Sequence, residues 1–312
     1  MEKTIIVAEI GINYAYGEDP ARFVDNAKRL IDIASIAGAD YVKFQKRDPH
    51  VCVPMAEREA PKSVPWRREP TTYFQYKLDI ELSLEQYKEI DAYCDQKGML
   101  WFASAWDKAS VDFLRKFQTK LPNGKWGTLI KIPSALIHDL DLVEYARDSS
   151  DFLIISTGMS TQEEIDLAIM AGQPDAVFHT NSSYPAKVDE LNLDYITYLN
   201  HISRGHDFKK PFVVGYSGHE FGLMTTIAAT LLGAQWIERH ITIDRSLWGS
   251  DQLASVEPQG LIKMVKSIRD IELARGGYGP REVYSSELAK RKTLRGKWKL
   301  HQKKYSSLLK VT

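Results

Sequence analysis

The sequence predicts an α/β fold, a closed (β/α)8 barrel of TIM type, and three features carry that prediction. Eight short runs rich in β-branched and aromatic residues alternate with amphipathic helical runs along most of the 312 residues. The strand runs are apolar almost throughout, as in parallel strands covered on both faces. The turn after the first run, "EIGINYAYGEDP", lacks the GxGxxG that a doubly wound nucleotide-binding sheet would place there.

In chain order the strand runs are 4–11, 41–45, 100–106, 128–134, 152–158, 176–182, 211–217 and 236–242. Helical patterns fill the gaps, among them 83–98, 161–172 and 221–233, several opening on Ser, Thr or Asp and closing on glycine. Thr157 and Thr161 read as such caps. The last helical pattern begins at Pro258, a residue favoured in first turns. Residues 46–82 form a longer gap containing prolines, Trp66, Arg67 and Arg68, the composition of a lid or binding loop. The barrel is assigned to residues 1–280, and 281–312 to a basic C-terminal extension.

Composition narrows the function classes. Lys plus Arg and Asp plus Glu both total 41, so no net field attracts nucleic acid or a membrane surface. The basic run "KRKTLRGKWKLHQKK" then reads as a solvated tail. No apolar run approaches the roughly eighteen residues of a membrane span. Cys52 and Cys94 are too few for a disulfide scaffold, and "MEKTIIVAEIGIN" reads as a strand, not a leader. A cytoplasmic protein is expected.

Chemistry in such barrels sits at the C-terminal strand ends. The polar residues there are Glu9, Lys43, Gln45, Ser104, Lys131, Ser134, Ser156, Thr157, Asn181, Ser182, Ser217, His219, Glu238 and His240. Alternation points Lys43 with Gln45, and Glu238 with His240, to one face, the barrel interior. A barrel interior is normally Val, Ile and Leu, so charges there need partners or a ligand. Two lysines among hydroxyls suit a small dianion. His219 and His240 on adjacent strands suit a divalent metal, completed by carboxylate, water or substrate. His138, His179 and His206 are assigned to structure or surface, and Trp101, Trp106 and Trp126 to core or rim.

The motifs "AEIGIN", "KFQ", "KIPS", "ISTGM", "SSYP", "GYSGH", "GAQWIERHIT" and "GSDQ" follow one another in the order of the bacterial sialic acid synthase family, and the chain resembles that family over residues 4–295. The resemblance implies condensation of phosphoenolpyruvate with an N-acylated hexosamine such as N-acetylmannosamine. It also implies a nine-carbon 2-keto-3-deoxy acid product, phosphate release, and dependence on manganese or magnesium. It places phosphoenolpyruvate against Lys43, Lys131, Ser134, Ser156, Ser182, Tyr184 and Ser217, and the sugar against Gln45 and Asp251. His219 and His240 become the metal ligands, and Glu9 the acid beside the reacting carbons.

The chain departs from the family pattern at Tyr14, where histidine is common, at Leu136, where an acid is common, and at Gly218, where aspartate is usual. The Leu136 change puts the sugar's identity in question. Typical members continue into a small antifreeze-like domain that supplies an arginine to the partner's site. The sequence ends where that domain would begin, leaving Arg47, Arg67, Arg68 and Arg245 as rim substitutes and a homodimer as the family's habit. Two rival readings are a Schiff-base aldolase using Lys43 or Lys131 and a non-catalytic barrel that binds an acidic metabolite.

Overall fold

The computed structural model describes residues 3–205, 208–277 and 279–295; His206 and the end of the basic run lie outside them. Eight parallel strands close into a barrel. They are β1 (Ile5–Gly11), β2 (Tyr41–Lys46), β3 (Leu100–Ala105), β4 (Leu129–Ile132), β5 (Phe152–Ser156), β6 (Ala176–Thr180), β7 (Val213–Gly218) and β8 (Trp236–His240). Each falls within two residues of its sequence-predicted run or inside it, and β8 pairs back onto β1 through Ile5 with Trp236 and Glu9 with His240.

The surrounding helices are α1 (Phe23–Ala37), α2 (Leu84–Lys97), α3 (Lys108–Leu114), α4 (Leu140–Asp148), α5 (Gln162–Gly172), α6 (Asp194–Ser203), α7 (Met224–Leu231) and α8 (Pro258–Arg275). Outward strand residues such as Ile6, Ala8, Val42, Phe44, Ile130 and Ile155 pack beneath them in one continuous apolar shell. Ser83 and Gln86 form a reciprocal capping box on α2, which ends on left-handed Gly98. Thr161 caps α5 in the same way with Glu164. Thr157 does not cap, because it lies a full turn ahead of the helix; its Oγ1 donates instead to the Phe178 carbonyl at 3.3 Å and ties β5 to β6. The α7 pattern begins at Met224, later than the sequence indicates, because the Glu220 and Gly222 carbonyls are occupied by the Arg239 guanidinium. Trp101 is buried in the core; Trp126 is exposed on the two-residue ribbon formed with Thr119–Lys120.

Two compact units partition the chain, Met1–Ala274 and Arg275–Thr312, the second containing helix α9 (Ser285–Leu294). No helix among the described residues is long and apolar enough to cross a membrane.

The segment after β2 is folded, with a helical turn at Pro49–Cys52, a small ribbon of Pro61–Lys62 with Thr71–Thr72, and a helix at Tyr73–Asp79. Trp66 fastens it: its ring lies 5.2 Å from Phe23 and 5.2 Å from Trp248, a residue of the loop after β8. Its Nε1 donates to Asp79 at 3.0 Å. Replacing Trp66 with alanine is expected to speed amide hydrogen exchange in 58–79 while leaving exchange in the barrel strands unchanged, since the anchor serves the loop and not the sheet.

Candidate active site

Period-two alternation stacks the inward side chains in layers. The lower layer is apolar: Val7, Tyr41, Phe102, Leu129, Ile154, Ala176, Phe178 and Trp236. Aromatic rings dominate this floor in place of the expected Val, Ile and Leu, with Tyr41 stacked 5.5 Å from Trp236 and Phe178 5.9 Å from it. Gly215 makes room for this, because a Cβ there would sit 2.4 Å from the Phe178 ring.

The next inward residues, two positions on, carry the chemistry. Lys43 Nζ lies 2.7 Å from Glu9 Oε2 and 3.7 Å from Glu238 Oε1, and donates to Ser104 Oγ at 3.0 Å. Lys131 Nζ lies 2.8 Å from Glu238 Oε1 and 4.7 Å above the Phe178 ring. Ser217 Oγ donates to the same Glu238 oxygen at 3.1 Å. The result is a buried chain of alternating charge, Glu9–Lys43–Glu238–Lys131. Burial raises Glu9 to about 7 against the pull of Lys43, with Glu238 adding to the rise. Burial also disfavours ionised Glu238, but Lys131 and Lys43 overcome it and hold that carboxyl at about 2. Burial lowers Lys131 to about 8 despite Glu238. At neutral pH Glu238 and Lys131 are therefore both charged, and Glu9 is poised between its two states.

The histidines stand side by side, ring centroids 5.5 Å apart. His219, just past β7, donates from Nδ1 to the Asn181 carbonyl at 2.6 Å, which leaves Nε2 as the lone-pair nitrogen. His240 Nδ1 is buried without a hydrogen-bond partner and lies 3.9 Å from Asp251 Oδ2. Burial, reinforced by His240, lowers His219 to about 3; burial lowers His240 to about 4. Both are neutral imidazoles at neutral pH. Tyr184 stacks on His219 at 4.0 Å.

These groups surround one cavity of about 160 Å3, walled by Glu9, Lys43, Gln45, Lys131, Ser134, Ser156, Ser182, Tyr184, Ser217, His219, Glu238 and His240. Of the strand-end polar residues the sequence indicated, Thr157 and Asn181 do not line it, and neither does Asp251, which stands beside His240 at the rim. The carboxylates and ammoniums do pair with one another, yet they leave room for a guest. Five buried polar atoms in the wall have no protein hydrogen-bond partner: Ser156 Oγ, Glu238 Oε2, His240 Nδ1, Trp106 Nε1, and Glu9 Oε2, which has only its ion pair with Lys43. Gly158 donates its N–H to Ser134 Oγ at 3.1 Å, and a Cβ on it would meet Ser182 Oγ at 2.1 Å, so the hydroxyl cradle exists only over glycine. Gln45 is oriented by Arg47, which donates to its Oε1, so that Nε2 donates to Glu9 at 3.2 Å.

Comparison with known proteins gives the same direction. The sequence model of the NeuB family matches residues 30–279. The chain belongs to the NeuB family. It is 32% identical to the N,N'-diacetyllegionaminic acid synthase of Campylobacter jejuni, across 88% of this chain and 78% of that one. It is 33% identical to the N-acetylneuraminate-9-phosphate synthase of Drosophila melanogaster, across 91% and 72%. The crystal structure of an N-acetylneuraminic acid synthetase from Leptospira borgpetersenii, solved with citrate, superposes with a TM-score of 0.76 at 26% identity, covering 96% of this chain and 93% of that one.

Two of the departures, Tyr14 and Gly218, have structural counterparts in this NeuB-family chain. Tyr14 is core, its hydroxyl donating to the Ile80 carbonyl at 2.7 Å. A Cβ on Gly218 would lie 2.5 Å from Glu220 Oε2. The carboxylate of Glu220 takes that space and pairs with Arg239 at 3.4 Å on the outer side of the strands. Among the rim arginines, Arg67 is bound to Asp79 and Arg245 to Glu257, Arg68 is exposed, and Arg47 alone reaches a cavity residue. His138 is exposed, and His179 is structural, bonded to the Leu191 carbonyl at 2.7 Å. Trp106 lines the rim.

Stability separates the two carboxylates. Glu238→Gln leaves two ammoniums short of a counter-ion and is expected to cost about 3–5 kcal/mol in urea unfolding. Glu9 behaves oppositely: its folded pKa lies above the ordinary 4.5, so its contribution is full below about 4.5 and is lost as pH rises through 7. Glu9→Gln is therefore expected to flatten the fall in melting temperature between pH 5 and 8; an unchanged slope would assign the titration to another group.

Proposed function

We propose that the chain joins phosphoenolpyruvate to an N-acylated hexosamine, N-acetylmannosamine or a relative, giving a nonulosonic acid and inorganic phosphate. The enol C3 bonds to the aldehyde carbon, water adds at C2, and the C2–O bond to phosphate breaks to leave a ketone. The supporting observation is the cavity, with ammoniums and hydroxyls along one side and two neutral imidazoles on the other. Its volume suits a small anion and falls below the roughly 300 Å3 of a typical ligand pocket, so the longer acceptor lies above it.

In this reading Lys43 and Lys131 meet the charge of phosphoenolpyruvate, and Ser134, Ser156, Ser182, Ser217 and Tyr184 surround it. Gln45 and Asp251 face the sugar. The donor set fits a divalent cation: His219 is fixed in the tautomer that turns Nε2 inward, and His240 has a buried Nδ1 without a partner. No group of three or more His, Cys, Asp or Glu among the described residues is arranged as a metal site, so two protein nitrogens would hold the ion, manganese or magnesium, with substrate or water. A cation bound there supplies Lewis acidity toward a carbonyl oxygen. Glu9, with a pKa of about 7, gives or takes a proton near neutral pH, and Gln45 keeps its carboxyl oriented.

The test is phosphate release from phosphoenolpyruvate, manganese and either N-acetylmannosamine or its 6-phosphate. His240→Ala is expected to abolish release with an unchanged circular dichroism spectrum; an undiminished rate would remove His240 from the site. Glu9→Gln should lower kcat by roughly 100-fold or more, and the limb of the pH–rate profile near 7 should vanish with it. Borohydride with pyruvate is expected to leave no adduct; labelling of Lys43 or Lys131 would establish the aldolase instead.

A further inference from the structure

The relatives divide, at nearly equal identity, between a synthase named for a 9-phosphate product and one named for a product without phosphate. Overall similarity therefore does not say whether the acceptor carries a phosphate. The rim above the cavity does.

Lys77, on the Tyr73–Asp79 helix of the segment after β2, is only 9% exposed. Among the described residues it forms no ion pair and no side-chain hydrogen bond; its Nζ sits 5.2 Å from the Tyr73 ring centroid and 4.9 Å from that of Tyr76. Neither nearby carboxylate is in contact with it. Glu81 pairs with Lys46 at 2.9 Å and Arg47 at 3.1 Å, and Asp251, beside the neutral His240, attracts Lys77 only through space. A second cation, Lys62, lies 5.4 Å over the same Tyr76 ring and 5.6 Å over Trp248. Burial lowers Lys77 to about 8, with Arg47 adding to the drop, so at neutral pH it is still mostly an ammonium. A buried ammonium without a counter-ion in contact is costly unless a ligand supplies one.

Its location identifies the ligand's place. Lys77 lies within the electrostatic reach of Arg47 and Asp251. Arg47 holds Gln45, and Asp251 flanks His240, so both are rim neighbours of the cavity. An acceptor whose aldehyde faces the histidines must extend its far end out of a cavity this small, toward the loops after β2 and β8.

We infer that Lys77, supported by Lys62, recognises a phosphate monoester on the far end of the acceptor, and that the chain therefore works on a phosphorylated amino sugar. The inference rests on the proposed condensation, but its test does not depend on turnover. Calorimetry would compare the open-chain alcohols of N-acetylmannosamine and N-acetylmannosamine 6-phosphate, which cannot react. The phosphorylated form should bind wild-type protein about 10- to 100-fold tighter. Lys77→Met, which keeps the aliphatic packing, should erase that preference, and Lys77→Arg should retain it. Equal or tighter binding of the unphosphorylated alcohol, or binding of neither, would overturn the inference. A preference that survives Lys77→Met would overturn it too, as would an equal loss of phosphoenolpyruvate affinity in that variant, which would mark the bound phosphate as the other substrate's. Failure of both sugars to turn over with phosphoenolpyruvate would instead refute the condensation.

Discussion

Four ionised or ionisable side chains held out of water above an aromatic floor set the terms for the rest of the site. The desolvation penalty is several kcal/mol per buried ion and is offset only where opposite charges meet at close range. The barrel meets that condition by alternation around its rim: Glu9 touches Lys43, Lys43 reaches Glu238, and Glu238 touches Lys131. Position in this chain decides each group's behaviour. Glu238 has an ammonium on both sides and stays ionised, while Glu9, at the end, has one ammonium in contact and titrates near neutrality. One carboxylate is thus fixed as a counter-ion and the other is left able to move a proton, without any difference in residue type.

The same environment governs the imidazoles. They share the rim with two lysines and are buried, so both influences oppose a proton on either ring. Neutral nitrogens are what a divalent cation requires, and the Asn181 carbonyl selects which nitrogen of His219 faces inward. Glycine contributes by omission: Gly158 gives its N–H to Ser134 and lets the Ser182 hydroxyl stand where a Cβ would be, and Gly11, at φ +54°, lies close to Glu9, Gln45 and His240. At Gly158 a Cβ has no space, and at Gly11 the positive φ disfavours one.

Much of this arrangement could be read from the chain. Strand runs were legible because parallel barrel strands are apolar on both faces, and the site residues because a charge at a strand's end contradicts its surroundings. What remained hidden depends on closure of the barrel. Glu238 stood in the sequence as one more strand-end acid; its contact with Lys131 spans strands that are not neighbours, and only the closed ring puts β4 opposite β8. The aromatic floor was invisible because Tyr41, Phe102, Phe178 and Trp236 look like any apolar strand residues until the pleat turns them all inward. Thr157 matched a cap by residue type, but capping depends on distance to the first turn. Lys77 carried no signal at all: a lysine in a helical loop segment is ordinarily solvated, and its burial comes from the rings of Tyr73 and Tyr76.

A division of labour follows from size. The barrel rim can enclose a small acid, and the residues around it are held by the sheet. In the proposed reaction the remainder of the acceptor falls to the loops after β2 and β8, which meet through Trp66, Tyr76 and Trp248. Those loops touch the edge of the site, where Arg47 orients Gln45 and Asp251 flanks His240, but none of the buried quartet belongs to them. In this chain the loop after β2 carries a buried, ring-flanked ammonium with no ion pair among the described residues, and the proposed acceptor phosphate is the charge that would complete it.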